Sequence, residues 1–122
     1  MSERLSLTQI AILATYVIGM AGGQILFKAA ALRLPTDVLF AERMFSLVQN
    51  GMFIAALALY LVMAVLWVWV LSFTPLSRAY PFVALAFVIT PILGGFVFGE
   101  PISLRLGLGI AVIALGLFLV VG

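Results

Sequence analysis

The chain has 122 residues, 66% of them hydrophobic and 8% charged, with a mean hydropathy of +1.38. A soluble domain is roughly 45–50% apolar and about 25% charged, so this composition excludes a water-soluble fold and points to an integral membrane protein. Cysteine and histidine are both absent, which excludes disulfides, thiolate and imidazole metal sites and a histidine proton switch. Most hydrolytic and redox chemistry goes with them, so no cofactor, no metal and no enzymatic activity are expected. The net charge of +2 comes from six basic residues, too few and too scattered for a nucleic-acid footprint.

A window of about 19 residues finds apolar segments near 7–27, 51–73, 79–98 and 104–121. At ~1.5 Å per residue each reaches roughly 27–35 Å, enough for a hydrocarbon core of about 30 Å. Only helices and closed barrels satisfy their backbone polar groups in lipid. The expected fold is therefore all-α, a single domain over 1–122 with four transmembrane helices. Met1-Ser2-Glu3-Arg4 runs straight into the first segment without the small-residue cleavage site and polar sequel of a removable signal peptide.

The first segment carries Tyr16, Gly19, Gly22, Gly23, Gln24 and, at its end, Lys28. Gly19 and Gly23 stand at the small-xxx-small spacing that lets a neighbouring backbone approach closely. Gln24 and Lys28 are four apart and share a helix face, a polar stripe ending in a positive charge. Snorkelling to the interface would explain Lys28 alone. It does not explain Gln24, one turn deeper. The connection 29–50 holds Arg33, Pro35, Thr36, Asp37, Glu42 and Arg43. Thr36-Asp37 could cap a short amphipathic helix lying in the interface, ended by Asn50-Gly51.

The second segment, 51–73, has no charge, only Tyr60, Trp67 and Trp69 among aliphatics. Indoles prefer the headgroup level, so anchoring fits both tryptophans, and stacking on a sugar is a second role open to Trp67. In the third segment Pro81 and Pro91 each remove a donor and free a carbonyl one turn earlier. In lipid those groups must be satisfied again, so a bent helix facing protein or a cavity is expected. At its start Arg78, beside Tyr80, could snorkel or hold a phosphate in bidentate fashion. At its far end Glu100, in Glu100-Pro101-Ile102-Ser103, could cap the fourth helix or contact a substrate.

The fourth segment carries Gly107, Gly109, Ala111, Ala114 and Gly116, a face suited to helix association between subunits. Four helices are few for enclosing a route through the membrane, which also suggests a dimer. Lys28, Arg33, Arg43 and Arg105 fall in the first and third connections, against Arg4 and Arg78 with the two termini. The positive-inside rule puts those two connections in the cytoplasm.

Gly23-Gln24 with Lys28 ending the first helix, Ala79-Tyr80-Pro81 opening the third and Gly99-Glu100-Pro101-Ile102-Ser103 before a glycine-spaced fourth resemble the small-multidrug-resistance branch of the drug/metabolite transporter superfamily. Within it the chain is most similar to the small subunits of undecaprenyl-phosphate-aminoarabinose flippases. The resemblance spans nearly the whole chain. The drug exporters of that branch place a glutamate midway along the first helix. Here that level holds residues such as Thr15 and Met20. A charged residue at the bilayer centre costs roughly 2.5–3.5 kcal/mol on insertion scales and is kept for function, so its absence argues against proton-coupled export.

The resemblance implies a transporter in the bacterial inner membrane, a homodimer or a heterodimer with a similar subunit, moving an anionic lipid-linked sugar among membrane lipids. On this reading Lys28 and Arg78 hold the phosphate and Gln24 and Tyr80 the headgroup. Tyr16, Trp67 and Glu100 are further candidates, and the lipid tail stays outside a groove between subunits. Efflux of small cationic compounds and a purely accessory subunit are the alternatives.

Overall fold

A computed structural model describes residues 6–121, so Arg4 and the rest of Met1-Ser2-Glu3-Arg4 lie outside the described residues. The described chain is all-helical, with α1 (Leu7–Ala31), α2 (Phe40–Val48), α3 (Gly51–Phe73), α4 (Leu76–Phe98) and α5 (Leu104–Val121). Helices α1, α3 and α4 are long and apolar enough to cross a bilayer, and α5 is a shorter apolar helix. Large side chains such as Phe96, Phe118 and Leu119 stand exposed, a surface that water would penalise and lipid accepts.

The helix ends follow local chemistry. Ser6 opens α1 with a capping box: its hydroxyl accepts from the Gln9 amide at 3.2 Å, and the Gln9 side chain accepts from the Ser6 amide at 3.0 Å. The helix continues to Ala31, a turn past the apolar window. Hydropathy registers apolarity, whereas Lys28-Ala29-Ala30-Ala31 is a run of strong helix formers. Thr74, restricted because it precedes proline, is extended (φ −130°, ψ 131°) and ends α3. Helix α4 then starts directly at Leu76, three residues before the expected 79. It runs unbroken through Pro81 and Pro91 to Gly99, which closes it in the left-handed conformation at φ 65° that glycine adopts without strain. That glycine stops the helix before Pro101 can.

Two expected caps are replaced. Residue Leu39, not Thr36 or Asp37, stands at the N-cap of α2, without a side-chain bond. The preceding loop is held instead by the Arg43 guanidinium, which donates to the Pro35 carbonyl at 3.0 Å and the Thr36 carbonyl at 3.1 Å. At the start of α5 it is the Ser103 hydroxyl, not Glu100, that accepts from the Leu106 amide, at 3.1 Å. Asn50 both caps α3, accepting from the Met52 amide at 2.9 Å, and donates to the Ala30 carbonyl at 3.2 Å. It thereby pins the end of α1 to the start of α3.

Helix α1 is the centre of the packing, lying against α3 on one side and α4 on the other, with α5 added beyond α4. Leu13, Val70 and Ala79, one from each of the three long helices, form a fully buried core, flanked by Ile12, Trp67, Leu71, Phe73 and Phe82. The glycines of α1 serve this packing within the chain. An added Cβ at Gly19 would collide with the Met63 thioether, and one at Gly23 would lie 2.5 Å from the Tyr60 ring. The small-xxx-small pair therefore admits side chains of α3 rather than a neighbouring backbone.

Candidate functional site

The antiparallel order of α1, α3, α4 and α5 gives the bundle two ends. One holds the end of α1, the starts of α3 and α5 and the end of α4. The other holds the start of α1, the end of α3 and the start of α4. Lys28 lies in the last turn of α1 and Arg78 in the first turn of α4, so the two cations stand at opposite ends.

At the Lys28 end a cavity of about 330 Å³ opens between α1, the last turns of α4 and the joint to α5. Gln24 and Lys28 line one wall, Thr90, Gly94 and Gly95 another, and Glu100 lies across from them. Lys28 and Glu100 are exposed, so the cavity presents a cation and a carboxylate at its mouth. The wall is close-packed at Gly95, where a Cβ would come within 2.9 Å of Ile102, and at Gly94 a Cβ would be in ordinary contact with Glu100 Oε1 at 3.4 Å. Gln24 is fixed from behind. Its amide donates to the Tyr60 hydroxyl at 2.6 Å, and that hydroxyl donates to the Met20 carbonyl at 3.2 Å. The Tyr60 ring stacks on Phe27 with centroids 5.0 Å apart. Tyr60 was not among the expected site residues. Its only sequence signal is a hydroxyl midway along a nearly all-apolar helix, which needs a partner when buried.

At the Arg78 end the aromatic candidates converge. Tyr16 and Trp67 stack at 4.9 Å and 27°, and Trp67 meets Tyr80 edge-on at 6.3 Å and 68°. Tyr16 is buried, Trp67 half-buried and Tyr80 exposed, so the array runs from the interior to the surface. Arg78 is half-buried two residues before Tyr80. The two tryptophans divide their roles: Trp67 packs inward, and Trp69 is exposed, edge-on to Phe73 at 5.9 Å, as an interfacial anchor would be. Buried Thr74, nearby in the chain, has a hydroxyl oxygen with no hydrogen-bond partner among the described residues.

Tyr16 and Gln24 are eight residues apart on α1, ~12 Å along its axis. The expected residues thus form two groups, Gln24, Lys28 and Glu100 at one end and Tyr16, Trp67, Arg78 and Tyr80 at the other. On α5, Gly107 is half-buried, while Gly109, Ala111 and Gly116 are exposed. Beyond the helix's own backbone and chain neighbours, nothing among the described residues lies within 4 Å of a Cβ added at any of the three glycines.

No family model and no solved structure matches this chain. Among curated proteins it is similar to several described as "Probable 4-amino-4-deoxy-L-arabinose-phosphoundecaprenol flippase subunit ArnE", three of which follow. The protein of Serratia proteamaculans is 41% identical over 100 residues, which cover 80% of this chain and 82% of the relative. That of Pseudomonas syringae pv. syringae is 38% identical over 74 residues, 56% and 68% of the two chains. That of an Enterobacter species is 40% identical over 57 residues, 47% of this chain and about half, 53%, of the relative.

Proposed function

This chain belongs to the family of 4-amino-4-deoxy-L-arabinose-phosphoundecaprenol flippase subunits, and from that membership we propose that it is a subunit of a flippase, not an enzyme, that carries an aminosugar-phosphate polyprenol across the bacterial inner membrane. The observation that carries the proposal is the cavity shared by Gln24, Lys28 and Glu100. The substrate named for the relatives contains an amine and a phosphate. A wall with one cation, one carboxylate and a fixed amide complements such a headgroup: Lys28 takes the phosphate, Glu100 the ammonium and Gln24 a sugar hydroxyl.

In this reading α5 is the fourth crossing, its 18 residues at the short end of the roughly 17–25 that span a hydrocarbon core. Lys28, Arg33, Arg43 and Arg105 then share one face, which the positive-inside rule puts in the cytoplasm. The headgroup loads there and leaves at the Tyr16, Trp67, Arg78 and Tyr80 array, where rings offer stacking faces and the guanidinium a bidentate fork. A second subunit, identical or similar, covers the exposed face of α5 at Ala111 and Gly116. None of the four apolar helices contains an acidic residue, which favours this over proton-coupled efflux of cations.

Binding of two lipids in native-membrane nanodiscs tests the proposal, one polyprenyl phosphate bearing the aminosugar and one bearing the same sugar with a hydroxyl in place of the amine. Glu100→Gln should erase the preference for the amine, and Lys28→Ala should weaken both. Equal affinity of the wild type for the two lipids would remove Glu100 from the headgroup.

A further inference from the structure

A second cavity, of about 540 Å³, lies between α4 and α5, lined by Phe87, Pro91, Leu106, Gly109, Ile110 and Ile113, with Ser103 and Arg105 at its end nearest the Lys28 cavity. Pro91 and Leu106 line both cavities, so the two are neighbours that share a wall. Their chemistry differs. The first sets two charged side chains and an amide among apolar ones, whereas the second is aliphatic and aromatic beyond its mouth. From Arg105 to Ile113 is eight residues, ~12 Å along α5, so the apolar groove descends from the headgroup level well into a hydrocarbon core about 30 Å thick.

We infer that this groove is a binding site for the phosphate-proximal isoprene units of the polyprenyl chain, with Arg105 as a second cation on the phosphate. The inference rests on the headgroup reading above and departs from the expectation that the tail stays in bulk lipid. The substrate is a phosphodiester, with sugar, phosphate and tail in linear order. The protein offers a polar cavity, cations at Lys28 and Arg105, and an apolar groove in the same order. Pro91 contributes doubly, because its missing amide leaves the Phe87 carbonyl without its usual helical donor and its ring forms part of the partition. A tail seated here keeps the phosphate at the mouth of both cavities and tethers the substrate while its headgroup changes sides. Gly109 borders open space, since a Cβ there would meet nothing within 4 Å beyond its own helix, so a larger side chain at this position would project into the groove.

The test uses the full chain in native-membrane nanodiscs with an aminoarabinose-phosphate polyprenol carrying a diazirine on its third isoprene unit. Irradiation should label Phe87, Ile110 or Ile113, and excess unlabelled lipid should compete the label away. Gly109→Phe fills the groove from an exposed position on α5. It should reduce this labelling at least tenfold while a tail-truncated aminosugar phosphate still binds, with subunit crosslinking checked in parallel. Competable label that falls instead on the outer faces of α1 or α3 would overturn the groove and leave the headgroup reading standing. Absence of any competable label would overturn both.

Discussion

Replacing Gly23 with alanine should destabilise the bundle far more than the same change at Gly19, although both glycines face α3. At Gly23 the new Cβ would lie 2.5 Å from Tyr60 Cε2 and 2.9 Å from Cζ, so the ring must retreat by about 1 Å to reach normal contact. It cannot do so freely. Its hydroxyl is bonded to Gln24 and to the Met20 carbonyl, and its face is stacked on Phe27. Overpacking costs about 1–3 kcal/mol. Each interhelical hydrogen bond lost adds about 0.6 kcal/mol and at most about 1.7. The better helix propensity of alanine returns up to about 1 kcal/mol. The net loss is about 1–3 kcal/mol. At Gly19 the obstacle is the Met63 thioether, an unbranched flexible chain that can turn aside, so the cost should stay under about 1 kcal/mol. Unfolding by SDS titration in mixed micelles, followed through tryptophan fluorescence, measures both. A Gly19 variant as unstable as the Gly23 variant would refute the idea that Tyr60 is the rigid partner and Met63 the compliant one.

Other consequences are as direct. Tyr60→Phe removes the acceptor of the Gln24 amide and should cost about 0.6–1.7 kcal/mol in the same titration, and it should weaken headgroup binding by releasing Gln24; unchanged binding would make Gln24 a purely structural residue. Thr74→Val removes a buried hydroxyl with no partner among the described residues and should stabilise by about 1 kcal/mol, with loss of transport as the sign that this hydroxyl serves the substrate. Arg78→Lys should impair transport nearly as much as Arg78→Ala, because an ammonium lacks the bidentate fork; full activity of the lysine variant would reduce Arg78 to an interfacial anchor. With no histidine and no acidic residue in α1, α3, α4 or α5, substrate binding should vary little between about pH 6 and 8, and steep loss on acidification would favour proton-coupled efflux.

Much of this was legible in the sequence. The apolar windows located the long helices because lipid demands uninterrupted apolar length, and the Gln24–Lys28 spacing placed both on the wall of one cavity. The helix ends were less legible because single residues decide them. Gly99 stops α4 through its positive φ, Thr74 stops α3 because Pro75 follows, and Ser103 caps α5 where Glu100 carried the more visible charge. Gly19 and Gly23 announced close packing but not their partners, since Met63 and Tyr60 are set by the rotation of α3 about its own axis, and α3 is apolar nearly all round. For the same reason the inward packing of Trp67 on Tyr16 was not legible beside the exposed Trp69. Glu100 opposite Lys28 and the groove beside Gly109 arise only from the order in which α1, α4 and α5 pack.

The flippase reading depends on a cation meeting the phosphate at each end of the bundle. The most direct measurement is translocation of an aminoarabinose-phosphate polyprenol in liposomes reconstituted with the subunit, alone and with any second subunit recovered with it from the membrane, at matched reconstitution. Lys28→Ala and Arg78→Ala should each abolish translocation while membrane insertion and subunit assembly persist. Near-normal translocation by both variants would contradict the account.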